Sequence, residues 1–276
     1  MSMRLRHALR NYIVEAIMLL SCLIILLPLL VMVFGSFKNN VEVLDFSLKL
    51  PQEWLFSNYK LVYEQGNLLR SFLNGILITG ISSIINIVTT SAASFVLVRR
   101  ESRMSNFLYL FFFMGLIAPM STITTIRVVQ WFGFYGSVTS VILIYAALNT
   151  AFSVFLYNGF IKSIPRVLDE VAFLEGAGMF NVFFRIIIPL IVPVNATVLI
   201  MVFMSVWNDI TIPIYFLTDS TDWTMPLAVY NFYGLYSRDW NLIFAVLVLT
   251  SLPVFILYLF AQKYIIGGLT AGAVKG

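Results

Sequence analysis

The residues best placed to do chemistry lie in one polar-flanked interruption between two apolar runs, IPRVLDEVAFLEGAGMFNVFFRIIIP, residues 164–189. Val167, Val171 and Leu174 fall at i, i+4 and i+7, which on a helix makes one apolar stripe, and Asp169, Glu170 and Glu175 leave acidic groups beside it. A stripe of this kind docks on another protein and the acids steer the approach. Other chemistries lack parts. The single histidine, His7, lies in the N-terminal tail and the single cysteine, Cys22, lies inside an apolar run, so neither a His/Cys metal site nor a disulfide framework is available. Gly267 and Gly272 are five apart, as in a phosphate-binding loop, but Ala273 occupies the lysine position and Lys275 comes two residues late. No metal and no ATP hydrolysis are expected of this chain itself.

The element that must carry the stripe is a short helix. Pro165 suits a first helical turn, and Asp169 and Glu170 suit the positive end of a helix dipole. Gly176 and Gly178 then break the helix and permit φ > 0, so a second helical segment, from about Asn181, leaves at a new angle toward Pro189. The expected product is a bent lever over about 162–189.

The setting of the lever follows from composition. A chain of 276 residues that is 60% hydrophobic and 11% charged, with a mean hydropathy of +0.93, belongs in lipid rather than around one soluble core. The reading is an all-α membrane protein, a single transmembrane domain over residues 1–276, with six spans at about 13–34, 72–98, 107–126, 138–156, 191–213 and 242–264. The first run is longer than a signal-peptide core and no small-x-small pattern precedes Gly35, so it reads as a retained helix. The second span, with Gly75, Gly80, Ser82, Ser83, Asn86 and Thr90, is suited to face protein as well as lipid. Pro119 should kink the third.

Charge orients the whole. With the N terminus inside, Arg4, Arg6, Arg10, Arg99, Arg100, Arg103, Lys162, Arg166, Arg185, Lys263 and Lys275 fall on the cytoplasmic side, 11 of 17 basic residues. Both termini are then cytoplasmic, in a cell (inner or plasma) membrane. The pI near 9.2 reflects this orientation and not a nucleic-acid patch, since the basic residues sit scattered at the ends of apolar runs.

Glu170, Val171, Ala172, then Gly176, then Ile186, Ile188 and Pro189 match in spacing the EAA loop of permease subunits from ATP-binding-cassette importers. Val171 stands where that pattern has Ala, Ile188 where it has Leu, and Glu175 where Asp usually precedes the Gly. PQEWLFSNYKLVYE near the start, WNDITIP at Trp207 to Pro213, and the ending QKYIIGGLTAGAVKG resemble carbohydrate importer permeases of the maltose-transporter type, in the order that family has them. The resemblance covers essentially the whole chain. It implies a type I importer permease fold whose loop is a cytoplasmic coupling helix, with Asp169, Glu170, Val171, Ala172, Leu174, Glu175, Gly176, Ala177, Ile186 and Pro189 as the ATPase-coupling residues. It also implies a second permease subunit in a heterodimer, two ATPase subunits that hold ATP and Mg, an extracellular solute-binding protein and a sugar, with an oligosaccharide favoured. This chain would bind no cofactor of its own.

A sugar route needs polar groups for hydroxyls and aromatic faces for rings. Asn86, Asn195, Trp207, Asn208 and Asp209 are the candidates for the translocation path, and the alternative for Asp209, somewhat favoured over sugar contact, is a capping or packing role at the outer end of the fifth span. The aromatic outer segment around Trp223, Tyr230, Phe232, Tyr233 and Tyr236 suits contact with a binding protein, or else an interfacial belt. The expected mechanism is alternating access driven by the ATPases through the lever. Alternatives are an importer permease for a non-sugar solute, for which the GLTAGAVKG ending is unexpected, and an ion-coupled secondary transporter, which would carry more ionisable residues in its spans. An intramembrane enzyme would need paired His, Cys or carboxylate groups there.

Overall fold

The computed structural model describes residues 3–234 and 239–273, with side chains for 12–234, 239–260 and 262, and its regular elements are helices. Tyr236 and Lys275 lie outside the described residues, as do the side chains of Arg4, Arg6, His7, Arg10 and Lys263. In chain order the α-helices are α1 (Met3–Gly35), α2 (Ser57–Gln65), α3 (Leu68–Arg99), α4 (Arg103–Met114), α5 (Thr122–Trp131), α6 (Val138–Leu148), α7 (Thr150–Ser163), α8 (Val167–Leu174), α9 (Met179–Val182), α10 (Ile188–Leu190), α11 (Val192–Trp207), α12 (Thr211–Phe216), α13 (Met225–Ala228) and α14 (Trp240–Ala273). A π-helical stretch, Phe183–Ile187, joins α9 to α10. Gly267 and Gly272 fall within α14, not in a phosphate-binding loop.

Among the described residues, three helices are long and apolar enough to cross a membrane: Tyr12–Gly35 within α1, α3, and Trp240–Phe260 within α14. Two bent pairs raise the number to five if each is one crossing, α6 with α7 at 42° and Met179–Leu190 with α11 at 76°. The expected third span differs. α4 stops at Met114 and α5 starts at Thr122, because Gly115 ends the first helix and Pro119 disfavours helix at the residue before it, so the expected kink is a full break. The expected fifth span also ends early, at Trp207, and the chain turns at Asp209 before α12.

The chain divides into two compact units. The first combines the chain up to Leu69 with Ala228–Leu252. Its outer segment is an ordered fold of its own. Asn58 donates to the carbonyls of Ser36 and Lys38 (both 2.9 Å) and accepts from Asn241 (3.3 Å), while the Phe37 ring packs against Trp54, Phe56 and Tyr59. Lys38 is buried with its ammonium on the Ser47 carbonyl at 3.1 Å. Within this segment Ser57–Gln65 form α2, with Asn58 and Val62 buried.

The second unit spans Arg70–Leu227 and the chain from Pro253 onward, around a core that includes Ile78, Phe95, Tyr157, Ile187, Val198 and Phe216. Its helices are stitched by hydrogen bonds, as small and polar residues on a lipid-embedded helix require. Ser82 donates to the carbonyl of Ile142 (3.2 Å), Asn86 to Ala146 (3.0 Å) and Ser94 to Val154 (3.5 Å). Donors and acceptors advance together along the chain, so α3 and the α6–α7 pair run in the same direction. Tyr145 donates to Asp209 (2.9 Å) and Tyr157 to Asn195 (2.7 Å), in opposite order, so α11 runs against them. The C-terminal ends of α3 and α7 and the N-terminal end of α11 therefore share one face, and α8 lies on it.

Candidate functional site

The loop from Ile164 to Pro189 is built by local rules. Pro165 and Arg166 open α8, with the amides of Asp169 and Glu170 both bonded to the Arg166 carbonyl. The helix closes on a complete glycine cap: Gly176 sits at φ +86°, its amide bonds the Phe173 carbonyl (3.0 Å), and the Ala177 amide reaches back to Ala172 (2.9 Å). Gly178 differs from expectation. Its φ is −76° with extended ψ, so it needs no glycine freedom, and the next helix starts at Met179 instead of Asn181.

α8 has two faces. Val167, Glu170, Val171 and Leu174 point outward, Leu174 at 88% exposure, and Met179, Phe180 and Phe184 extend the apolar surface beyond it. Contiguous exposed apolar surface beside carboxylates is the signature of a partner site. Ala172 and Asp169 point inward, Asp169 at 6% exposure. Asp169 therefore leaves the steering set, which is Glu170 and Glu175. Ile186 is half-buried against the core and Pro189 is exposed, both near the 76° bend that follows, where Pro189 and Pro193 remove two ladder amides.

Two arginines hold α8, and neither was assigned this role from sequence. Arg99, at the end of α3, forms an ion pair through Nε with Asp169 Oδ2 and donates from Nη1 to the Ile164 carbonyl at 3.2 Å. Arg166 reaches the other way, to the Val98 carbonyl at 3.2 Å and Glu101 Oε1 at 2.6 Å. Each guanidinium lands on a carbonyl near a helix C-terminus, where the dipole favours a cation. The pairs differ in weight. Arg99–Asp169 is almost fully buried and its disruption removes ~3–5 kcal/mol, while Arg166–Glu101 is exposed and contributes ~0–1 kcal/mol.

The five residues expected to line a translocation path separate. Asn86 is fully buried with both ends of its amide used, donating to Ala146 and accepting from Ser153 at 2.6 Å, so it locks α3 to α6–α7 and faces no route. Trp207 is 2% exposed, stacked on Phe203 and edge-on to Phe72 above Gly75, where a Cβ would come within 3.1 Å of the indole. It is a packing residue. Asn195 is half-buried under Tyr157, and Asn208 is exposed but bonded to the Met204 carbonyl. Asp209 accepts from Tyr145 and from the amides of Thr211 and Ile212 (both 3.0 Å), the capping alternative. It also borders a cavity of about 330 Å³ together with Tyr145, Asn149, Ser205 and Thr211. Tyr145, Asn149 and Ser205 were missed from sequence, since their common cavity is lined by residues of four helices, α5, α6, α11 and α12.

In the aromatic outer segment, Trp223 is half-buried against the core of the second unit, and Asn74 donates to the carbonyls of Thr221 (2.9 Å) and Trp223 (3.2 Å). Asp219 opens this turn. The backbone amide of Thr221, foremost, and its hydroxyl hold the Asp219 carboxyl below the usual range, with a lesser contribution from Arg70. Tyr230 and Tyr233, in the first unit, are both exposed and meet edge to face at 6.1 Å.

Residues 90–270 match the family model described as the binding-protein-dependent transport system inner membrane component. Among curated relatives, the melibiose/raffinose/stachyose import permease protein of Bacillus subtilis (strain 168) is 36% identical over 237 residues, covering 84% of this chain and 86% of its own. The probable starch degradation products transport system permease protein of Thermoanaerobacterium thermosulfurigenes is 30% identical over 268 residues, 96% and 97% of the two chains. In fold, the chain resembles a crystal structure of a bacterial ABC transporter involved in the import of the acidic polysaccharide alginate, with a TM-score of 0.82, 21% identity and coverage of 94% and 98%.

Proposed function

Because the chain belongs to the family of binding-protein-dependent transport system inner membrane components, we propose that it is the permease subunit of an ATP-driven importer that carries a sugar, most suitably an oligosaccharide, into the cell. The sugar assignment rests on relatives whose names specify melibiose, raffinose, stachyose and starch degradation products. An extracellular solute-binding protein delivers the sugar, a second permease subunit completes the pore, and two separate ATPase subunits bind ATP and Mg. The observation that carries the reading is α8: a short helix with an exposed apolar stripe, tied by Arg99 and Asp169 to the end of α3 and closed by the Gly176 cap.

Alternating access follows from that connection. An ATPase that grips α8 differently in its open and closed states shifts the membrane helices by that difference in affinity and by nothing else. The buried Arg99–Asp169 pair passes a displacement of α8 to α3, and the bend after Leu190 passes it to α11. Tyr145, Asn149, Ser205 and Asp209 offer hydroxyl, amide and carboxylate partners for sugar hydroxyls in one cavity.

Six crossings with both termini cytoplasmic fit the helix directions. α3 and α6–α7 run the same way, so the chain between them must return across the membrane, and α4 with α5 is the segment available. The testing experiment is affinity purification of the tagged chain from its native membrane in mild detergent, followed by mass spectrometry. Recovery of an ATPase and a second permease is expected. A chain recovered alone, under conditions where a known importer complex survives, would refute the assignment of α8.

A further inference from the structure

Behind α8, the ends of α3 and α7 and the start of α4 border a cavity of about 710 Å³ whose charge has no counterpart in the proposed transport mechanism. Arg99, Arg100, Arg103, Lys162 and Arg166 line it, against one carboxylate, Glu101. Glu101 is already paired with Arg166, and Arg99 with Asp169. Arg100 and Arg103 are exposed and form no ion pair among the described residues, and the Lys162 ammonium lies over the Tyr109 ring at 5.3 Å. The twelve-residue helix α4 begins at the same place, capped by Ser102 on the Ser105 amide, so the other first-turn amides remain open toward an anion.

A second, independent observation comes from α7. Asn158 lines this cavity at 3% exposure, yet its side-chain carbonyl has no hydrogen-bond partner. A buried amide oxygen asks for a donor, which an ionised phosphodiester does not supply and a hydroxyl beside it does. Outside the cavity, Met104, Phe107, Leu110, Phe111 and Met114 form an exposed apolar stripe along α4, continuous with the basic mouth.

We propose that this cavity binds a phosphate anion that carries a hydroxyl group, as in the headgroup of an anionic glycerophospholipid whose chains lie along α4. The phosphate sits among Arg100, Arg103, Lys162 and the first turn of α4, and a headgroup hydroxyl donates to Asn158. Basic pockets at the cytoplasmic ends of membrane helices recognise lipid headgroups in this way. Given the transport reading above, the consequence is regulatory: Arg99 and Arg166 line the same cavity and hold α8, so the occupied pocket sets how firmly the coupling helix is seated.

The test is direct binding, independent of transport. The chain, in its complex, is exchanged into nanodiscs containing phosphatidylglycerol or phosphatidylcholine alone, and retained lipid is measured by native mass spectrometry, with inorganic phosphate and glycerol 3-phosphate as competitors. Retention of phosphatidylglycerol over phosphatidylcholine is expected, with a loss of about tenfold or more in R100Q/R103Q. Release by glycerol 3-phosphate at concentrations that leave the lipid chains no advantage would assign the site to a soluble phosphate ester instead of lipid. Equal retention of both lipids, or retention unaffected by R100Q/R103Q, overturns the proposal. A wild-type measurement guards against a misfolded variant: a photoactivatable phosphatidylglycerol headgroup should label peptides spanning 99–106 and 158–166. Labelling elsewhere only, or protection of these peptides by the ATPase with no lipid labelling in its absence, also overturns it.

Discussion

At Gly176 and Gly178, two glycines in one loop stand under opposite constraints. Gly176 holds φ +86°, and a Cβ at this position would meet no atom within 4 Å, so a side chain there suffers backbone strain and no collision. Gly176→Val should weaken the α8 cap by ~1–2 kcal/mol and abolish sugar-stimulated ATP hydrolysis while membrane insertion persists. Gly176→Asn, which tolerates this region, should retain much more activity. Gly178→Ala, at φ −76° with open space around it, should be nearly silent in the same ATPase assay. If Val and Asn at 176 behaved alike, the cap would not be the reason for the glycine. The buried pair offers a second residue-scale expectation: Asp169→Asn should lower detergent-solubilised stability by ~3–5 kcal/mol, measured by thermal unfolding, whereas Glu101→Gln should change it by less than ~1 kcal/mol.

For α8 as an element, burial on one face and exposure on the other separate folding from docking. Leu174→Asp alters a side chain with 88% of its surface free, so stability of the isolated permease should stay within ~0.5 kcal/mol, while co-purification with the ATPase should fall sharply. Co-purification at the wild-type level would remove the stripe from the interface. The ladder between α3 and α6–α7 makes the reverse case. Asn86→Ala strands the Ser153 hydroxyl, whereas the Ala146 carbonyl still accepts from the Thr150 hydroxyl (2.8 Å), and should reduce stability by ~1–2 kcal/mol without changing which sugars compete for uptake. A changed sugar preference would return Asn86 to the translocation path.

For the whole molecule, the proposed topology takes α4 and α5 as a single broken crossing, in keeping with the shared direction of α3 and α6–α7. In a background lacking the exposed Cys22, S102C should react with a membrane-impermeant thiol reagent only from the cytoplasmic side, and W131C only from outside. Labelling of both from one side would make α4–α5 a re-entrant excursion and force a different topology.

Much of the loop was legible in the sequence because its rules are local: a proline and acids at a helix start, a glycine just past the last periodic residue, and apolar residues at i, i+4 and i+7 act over one or two turns. Membrane residence and the positions of the long helices α1, α3 and α14 were likewise set by hydropathy, which needs no partner. The pairing of Arg99 with Asp169, 70 positions apart, was not legible, since charge at a span's end reads first as orientation. Nor could the sequence say whom Asn86 bonds. A buried amide must be satisfied, and only packing chose α6–α7 over a sugar route. The sequence by itself determined a lipid-embedded helical chain with a short amphipathic helix closed by a glycine; the tertiary structure decided which polar groups hold helices together and which remain exposed, because hydrogen bonds and ion pairs are settled by proximity in space and not by spacing along the chain.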